Sequence, residues 1–291
     1  MNTSKPRLLI YIITFNHEQF IIGVIKRIPL INLSKKYEVE LLLNDDASKD
    51  NTIYLTYQYA KKELANFKFT ILYNPINQGY GGNQKIGYYY AIKHNFDFVV
   101  LLHGDGQYAP EYLEKLVSPL SQNNIDAVFG SRMITKGAAL KGGMPLYKFI
   151  GNKVITFFQN FLLLTNFSEF HSGYRAYKVN SLKKIPFYLN SNGYPFDTEI
   201  IIQFIISKLK IVEIPIPTYY GLEWHANHII YAIQVCLVTL KAKIQKLGLI
   251  YDKKFDCNSK NTYFYISNEN QNLESLLEKA KVESKKKQLT N

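Results

Sequence analysis

Short apolar segments alternate with stretches of helical length through the first 130 residues, and this alternation limits the fold more than any other feature. The apolar segments cover residues 7–13, 38–43, 68–73, 97–102 and 126–130, and the helical stretches cover residues 19–28, 51–64, 82–93 and 110–121. Strands that are apolar throughout and separated by helices are typical of a parallel sheet buried on both faces. Right-handed crossovers place the carboxyl ends of such strands at one edge, where ligands bind.

The loops after four of these segments carry polar and Gly-rich residues. Their sequences are TFNHE from Thr14, NDDASKDNT from Asn44, NPINQGYGGN from Asn74 and HGDGQY from His103. Because all four meet at one edge of the predicted sheet, they predict a binding site there. The spacing of the glycines after Asn77 does not match the dinucleotide fingerprint, which argues against a Rossmann oxidoreductase.

Asp105 and Gln107 are two positions apart, so an extended segment turns both side chains the same way. Carboxylate and amide oxygens are hard ligands that suit Mg²⁺ or Mn²⁺ better than zinc. Water and phosphate oxygens would complete the coordination shell, and flanking Gly104 and Gly106 leave the backbone open to a ligand. The sequence therefore predicts a divalent metal site, with an ordinary Asp/Gly-rich turn as the alternative.

A net charge of +12 results from 35 Lys and Arg residues against 23 Asp and Glu residues. This charge suits a phosphorylated substrate or an anionic membrane surface, although general solubility also explains many of the lysines. Nucleic acid is excluded as a partner, because the chain has no aromatic-rich basic motif of the known kinds. Two cysteines are too few for a disulfide framework and indicate a reducing compartment.

Arginine is scarce, and two of the four arginines stand in the motifs GSR (Arg132) and SGYRA (Arg175). A guanidinium binds phosphate with two parallel hydrogen bonds, which lysine cannot do. This placement favours phosphate binding at both residues, with a structural role for Arg175 as the alternative. Arg7 and Arg27 are interpreted as surface residues.

The ordered series ITFNHE, NDDASKD, NQGYGGNQKIG, LLHGDGQY, FGSRM, HSGYRAY, FDTEIIIQ and KIVEIPIPTYY resembles family 2 glycosyltransferases over about residues 7–220, in particular the dolichyl-phosphate mannose synthase-like branch. The resemblance implies an α/β fold of the GT-A type, a three-layer sandwich with a mostly parallel central sheet. Residues 1–225 would form this domain, with a nucleotide-sugar half at 7–130 and an acceptor half at 131–225. It also implies inverting transfer of a sugar from a GDP- or UDP-sugar to a polyprenyl phosphate, assisted by Mg²⁺ or Mn²⁺.

Individual roles follow from the same resemblance. The donor-binding positions are Ile13, Phe15, His17, Glu18, Asn44, Asp46, His103 and Gly104. Asp105 and Gln107 match the metal ligands, and Asp105, Arg132 and Arg175 are the predicted catalytic residues. The chain departs from the family in the acidic D-x-D motif, where His103 replaces the first aspartate. A mechanism that needs two carboxylates on the metal therefore lacks one of them in this motif.

The acceptor remains open between two chemistries. A phosphate monoester is ionised at neutral pH, so its oxygen needs no strong base, whereas a hydroxyl of a saccharide or lipid-linked glycan in cell-surface polysaccharide synthesis needs one. The predicted acceptor-side residues are Lys148, Glu169, Asp197 and Glu199, of which Asp197 and Glu199 equally suit the first turn of a helix. A catalytically inactive scaffold is a further alternative, and His103 is its main support.

Two apolar segments in the second half raise the question of membrane contact. Residues 147–165 and 229–240 are too short to span a bilayer, so they predict core helices or helices at a lipid interface. Residues 226–251 are predicted as an apolar or amphipathic helix of this kind, and residues 252–291 as a mobile Lys/Asn-rich tail with some helix. The expected location is cytoplasmic, on the inner face of the membrane, with a separate membrane protein as a potential partner.

Overall fold

A computed structural model describes residues 4–220, 228–257 and 262–289. In these ranges seven strands form one sheet in the order β3-β2-β1-β4-β6-β5-β7. All adjacent pairs are parallel except those of β6, which runs antiparallel to β4 and to β5. The predicted α/β architecture with a mostly parallel central sheet is therefore confirmed.

The five strands predicted in the first 130 residues are present, as are the helices predicted at residues 19–28, 51–64 and 82–93. A helix at residues 30–36 was not predicted, and residues 110–121 are α-helical only at 113–117. The strands are β1 Arg7–Thr14, β2 Glu38–Asp45, β3 Lys68–Tyr73, β4 Phe98–His103, β5 Ala127–Ser131, β6 Arg175–Lys178 and β7 Ile211–Pro215. The helices are α1 Ile21–Lys26, α2 Leu30–Lys36, α3 Thr52–Glu63, α4 Tyr80–Lys93, α5 Leu113–Val117, α6 Ala138–Lys141, α7 Leu146–Leu163, α8 Val179–Leu182, α9 Phe196–Ile206, α10 His228–Lys246 and α11 Thr262–Leu289.

Two core layers lie on opposite faces of the sheet, which explains why the strands are apolar throughout. Along β1, Leu9, Tyr11 and Ile13 enter the layer beneath α4 and α9, and the alternate residues enter the layer beneath α1, α2 and α5. Successive side chains of a strand point to opposite faces. Both faces therefore need apolar residues, and the carboxyl ends of the strands are left for polar chemistry.

The glycines of the third loop serve packing. A Cβ at Gly87 would lie 2.0 Å from the ring of Tyr11, so only glycine lets α4 sit this close to β1. Gly79 has φ +77°, and a Cβ at Gly81 would lie 2.4 Å from the carbonyl oxygen of Ser191. The glycines thus join the start of α4 to the loop before α9, across the two halves of the sheet.

The C-terminal helices extend the domain. Helices α7 and α10 pack against each other, and α10 also packs on α9. None of the described helices is both long enough and apolar enough to cross a bilayer.

The tail predicted at residues 252–291 contains the long helix α11, which packs along β3 and α4. Leu273, Leu277 and Ala280 are buried in the core layer shared with α4. These three residues recur at helical spacing, and the abundance of Lys and Asn around them concealed that apolar face.

Candidate active site

The register of the sheet brings the predicted donor residues to one edge. Ile13 of β1 pairs with Asn44 of β2 on one side and with His103 of β4 on the other. A Cβ at Gly104 would lie 2.9 Å from Thr14 Oγ1 and 3.1 Å from His17 Nδ1. The glycine is therefore required for the loops after β1 and β4 to meet.

Hydrogen bonds hold the loops after β1 and β2 to each other. Ser48 Oγ accepts from the backbone N–H of Asn16 at 2.7 Å, and Asp50 Oδ2 accepts from that of Glu18 at 3.0 Å. In return, Glu18 Oε2 accepts from the backbone N–H of Asn51 at 2.9 Å. Asp50 also accepts from the N–H of Thr52, the first residue of α3. This part of the edge is therefore preformed, and Phe15 projects from it, 43% exposed.

Asp46 lies in a nest of donors. Its Oδ1 accepts from Asn74 Nδ2 at 2.8 Å and from the backbone N–H of Gln78 at 2.7 Å, and its Oδ2 accepts from that of Gly79 at 3.0 Å. Burial raises the pKa of Asp46, and these hydrogen bonds oppose the rise. Asn44 lies deeper, fully buried, and donates to Asn83 Oδ1 at 2.7 Å. Both residues therefore fix the loops of the donor edge through hydrogen bonds on their buried side.

Asp45 is the more unusual member of the acidic pair. Its side chain is fully buried, Oδ1 accepts from the backbone N–H of Ser48 at 2.7 Å, and Oδ2 has no hydrogen-bond partner among the described residues. Burial raises the pKa of Asp45 from 3.8 to about 7, although the bonds from Ser48 act in the opposite direction. The folded protein therefore holds a proton here that the unfolded chain releases near pH 4.

Asp45→Asn is expected to remove a pH-dependent loss of stability. Because the folded pKa lies above the unfolded one, the stabilisation is complete below about pH 4 and is lost as pH rises through about 7. At about 1.4 kcal/mol per pH unit, the loss is a few kcal/mol. Urea unfolding at pH 5 and pH 8 should show a smaller decrease for the variant than for the native chain. Equal decreases would contradict the assignment.

His17, His103 and Asp105 form the centre of the edge. Burial lowers the pKa of both histidines, and the Asp105 carboxylate opposes that effect at each. Both imidazoles are therefore neutral at pH 7. Asp105 is the one carboxylate of these three side chains, because His103 stands where the D-x-D motif has its first aspartate.

Asp105 and Gln107 are both half-buried at the end of β4. Asp105 Oδ1 accepts from the backbone N–H of Gln107 at 2.9 Å, which fixes the turn. Among the described residues no group of three or more His, Cys, Asp or Glu side chains is placed to hold a metal. A carboxylate and an amide nevertheless fit a Mg²⁺ or Mn²⁺ ion that takes its remaining ligands from water and phosphate.

Arg132 forms a buried ion pair with Glu169. The guanidinium donates through Nε and Nη2 to Glu169 Oε1, and the backbone N–H of Arg132 donates to Oε2 at 2.8 Å. Nη1 points the other way and donates to the hydroxyl of Tyr220 at 2.5 Å. Burial opposes the charge of Glu169, but Arg132 outweighs it and holds the pKa of Glu169 below its ordinary value. Glu169 is therefore the counter-ion of Arg132.

Arg175 is fully buried and donates to three backbone carbonyl oxygens, those of Phe170, Ser172 and Asp197, at 2.7 to 2.9 Å. The Asp197 carboxylate lies 3.4 Å from its Nη1. This geometry favours the structural alternative for Arg175, in which it fixes the segment before β6. The phosphate-binding role predicted for this residue stays a prediction.

Asp197 links Arg175 to the centre of the edge. Its Oδ2 accepts from the hydroxyl of Tyr80 at 2.9 Å, and that hydroxyl lies 3.4 Å from His103 Nε2. A Cβ at Gly173 would lie 2.8 Å from the His103 ring, so glycine permits the contact. Tyr80 belongs to the quoted glycine-rich motif, but its spacing gave no sign of this partnership.

The remaining acceptor-side residues, Glu199 and Lys148, lie in different surroundings. Glu199 is buried beneath the acceptor half, where it accepts from the backbone N–H of Ser191 at 2.6 Å and pairs with Lys254 Nζ at 2.5 Å. Lys148, in the first turn of α7, lies with its Nζ 5.9 Å from the ring centre of Tyr220. The structure thus places Lys148 and Arg132 on the same tyrosine. Tyr220 is the last residue of the quoted segment KIVEIPIPTYY, but it was not named as a site residue, because its contact with Arg132 depends on the fold.

Comparisons with known proteins agree with this geometry. The model of the family described as glycosyl transferase family 2 matches residues 9–186. The UDP-N-acetylglucosamine–dolichyl-phosphate N-acetylglucosaminyltransferase of Methanococcus voltae is 29% identical over 223 residues, which cover 73% of this chain and 86% of that enzyme. The polyprenol monophosphomannose synthase of Mycolicibacterium smegmatis is 25% identical over 217 residues, covering 74% and 78%.

A solved structure shares the fold. Glucosyl-3-phosphoglycerate synthase from Mycobacterium tuberculosis, in complex with Mn²⁺, UDP and glucosyl-3-phosphoglycerate, aligns with a TM-score of 0.57 at 17% identity, covering 85% of this chain and 82% of that one. The expected GT-A type of fold and the resemblance to the dolichyl-phosphate mannose synthase-like branch are both confirmed. The chain belongs to glycosyl transferase family 2 and is a nucleotide-sugar-dependent glycosyltransferase.

Proposed function

We propose that this protein transfers a sugar, with inversion, from a UDP- or GDP-sugar to the phosphate of a polyprenyl phosphate. Two relatives named for transfer to dolichyl phosphate and for synthesis of polyprenol monophosphomannose support this acceptor class. In the chain itself, the state of the acidic residues near the acceptor side supports the same class.

The carboxylates predicted as candidate bases are already bound to cations or hydrogen-bond donors. Glu169 binds Arg132 and Asn152, Glu199 binds Lys254, and Asp197 binds Tyr80 and lies beside Arg175. A carboxylate held in this way is a poor acceptor for a hydroxyl proton. A phosphate acceptor has no such requirement, because it is ionised before it reacts. This observation favours the lipid phosphate over a saccharide hydroxyl.

Asp105 and Gln107 would hold Mg²⁺ or Mn²⁺, which when bound neutralises charge on the diphosphate of the donor. Asp46 and the loops joined to it position the nucleoside. Nη1 of Arg132, kept on the Tyr220 side by Glu169, is directed to phosphate oxygens. Lys148 adds a second cation on the same tyrosine, and the two cations offset the repulsion between two anionic substrates.

The test uses matched acceptors. The purified protein is incubated with UDP- and GDP-sugars and Mn²⁺ or Mg²⁺, with undecaprenyl phosphate in one series and undecaprenol, which lacks only the phosphate, in another. We expect one donor to give a phosphodiester-linked sugar with the phosphate alone. Transfer to undecaprenol or to a saccharide instead would establish the hydroxyl alternative. Tight donor binding with no transfer to any acceptor would establish the scaffold.

The long apolar tail of such an acceptor stays in a bilayer, so the proposal places the enzyme peripherally at the cytoplasmic face of a membrane. The same assay, repeated in protein-free vesicles that contain the acceptor, decides whether a membrane protein must present the lipid. Transfer in these vesicles as fast as in the assay without them shows that no such partner is needed. Transfer only after a membrane extract is added shows that one is.

A further inference from the structure

Helix α7 has its polar side turned inward. Asn152 donates to Glu169 Oε1 at 2.7 Å, Gln159 is fully buried and donates to Thr239 at 3.3 Å, and Asn160 donates to the carbonyl oxygen of Phe167 at 2.8 Å. A surface helix of a protein in water normally buries its apolar side and exposes its polar side. The arrangement in α7 is the reverse.

The opposite side of α7 is a continuous apolar stripe. Its exposed residues recur every three or four positions, the spacing of one helix face, and Phe157 and Phe161 are 75% and 71% exposed. The stripe consists of Leu146, Ile150, Val154, Phe157, Phe161 and Leu164.

Helix α10 repeats this pattern beside it. Val235, Thr239 and Ala242 face the protein, and the outward side carries Ile229, Ile233, Leu237 and Leu240. Ala242 and Leu163 both pack around Ile202 of α9. Since α10 packs on both α7 and α9, the two apolar stripes lie on neighbouring helices. These two stripes are called the α7–α10 face below.

The charges on the two helices favour a lipid surface over a second copy of the chain as the binding partner of this face. Neither helix contains an Asp or Glu residue. Lysines stand along both helices, namely Lys148, Lys153, Lys243 and Lys246, whereas Lys241 pairs with Asp252, which lies outside α10. In a symmetric pair of chains these lysines would oppose each other without any acid on either face. Anionic lipid headgroups instead complement an apolar face with a lysine border.

The face is continuous with the acceptor side of the site. Lys148 in the first turn of α7 lies over Tyr220, which receives a hydrogen bond from Arg132. From α10, the Tyr231 hydroxyl lies 2.8 Å from His171 Nδ1, and the carbonyl oxygen of His171 accepts from Arg132 Nη2 at 3.0 Å. Both helices are therefore attached to the arginine assigned to phosphate.

We infer that the α7–α10 face docks on the surface of an anionic bilayer, with both helices parallel to the membrane plane. The inference deepens the proposed function, on which its biological sense rests, because a phosphate at the level of the lipid headgroups would then lie next to Arg132. Its test does not require turnover.

The test measures binding to sedimented vesicles of phosphatidylglycerol and phosphatidylcholine. The double variant Phe157→Ser/Phe161→Ser removes the two most exposed aromatic side chains of α7. The matched control, Ile31→Ser/Val282→Ser, removes two exposed apolar side chains of α2 and α11, away from the face. We expect at least a tenfold weaker binding for the first variant and less than a twofold change for the control. Binding of the native chain should also weaken in vesicles of phosphatidylcholine alone.

Equal binding of the native chain and the face variant would overturn the inference. So would a native dimer that the face variant turns into a monomer, since a second copy would then cover the face. Transfer to a short, water-soluble prenyl phosphate separates this result from the proposed function. If docking is wrong, that reaction still proceeds, and if the proposed acceptor is wrong, vesicle binding still depends on Phe157 and Phe161.

Discussion

Replacement of Arg132 by Lys is expected to lower turnover about 100-fold while the folded state persists. Lysine keeps the positive charge beside Glu169, so the free energy of unfolding should fall by only about 1–2 kcal/mol. It has no planar fork, however, and cannot donate to Glu169 on one side and to Tyr220, or to the phosphate proposed there, on the other. Loss of one such donor in a transition state typically costs a factor of about 10²–10³. Steady-state kinetics and urea unfolding measure the two effects separately.

Removing the charge distinguishes catalysis from folding in the same ion pair. Arg132→Met leaves Glu169 buried and unpaired, which should cost about 3–5 kcal/mol of stability. The double variant Arg132→Met/Glu169→Gln removes both charges and should recover most of that loss, but no activity. Recovery of turnover in the double variant, or full turnover in Arg132→Lys, would show that Arg132 does not bind a substrate phosphate.

Asp105→Ala is expected to abolish the effect of metal on donor binding and to lower turnover by at least about 100-fold. The reason is that Asp105 supplies the one carboxylate of the proposed metal site. The neighbouring His103 is neutral and adds no negative charge. Stability should change little, because the described side-chain bond of Asp105 is the one from the Gln107 N–H at a half-buried position. Isothermal titration of the nucleoside diphosphate, with and without Mn²⁺, provides the measurement.

Asp256→Ala serves as the matched control, because it makes the same change at a carboxylate beside Tyr251, in the C-terminal segment. It should bind donor and metal as the native chain does. If Asp105→Ala kept the metal dependence of the native chain, the metal would have to be held elsewhere.

The sheet could be predicted from the sequence because its strands are apolar on both sides. The apolar runs at residues 7–13, 38–43, 68–73 and 97–102 have the length and composition of buried strands. The register of these strands then brings the four loops together. Strands β6 and β7 are short and only partly apolar, and the antiparallel insertion of β6 depends on contacts across the acceptor half. The hydrophobic pattern of the sequence does not reveal those contacts.

The site was harder to predict where a residue's role depends on a distant partner. Arg132 and Glu169 are far apart in sequence, and only the structure shows that one neutralises the other. The same holds for Glu199 with Lys254, which turns a candidate base into a structural ion pair. The loops at the strand ends could be identified as a site because topology fixes their place. Which charged side chains form ion pairs with each other could not be predicted.

Electron paramagnetic resonance of bound Mn²⁺ tests most directly whether Asp105 and Gln107 hold a metal against the diphosphate of the donor. The native chain should bind Mn²⁺ weakly alone and at least about tenfold more tightly with UDP or GDP, whichever is its nucleotide, since phosphate oxygens complete the shell. Asp105→Asn and Gln107→Ala should each lose that enhancement while remaining folded. Unchanged spectra and affinities in both variants would contradict the account.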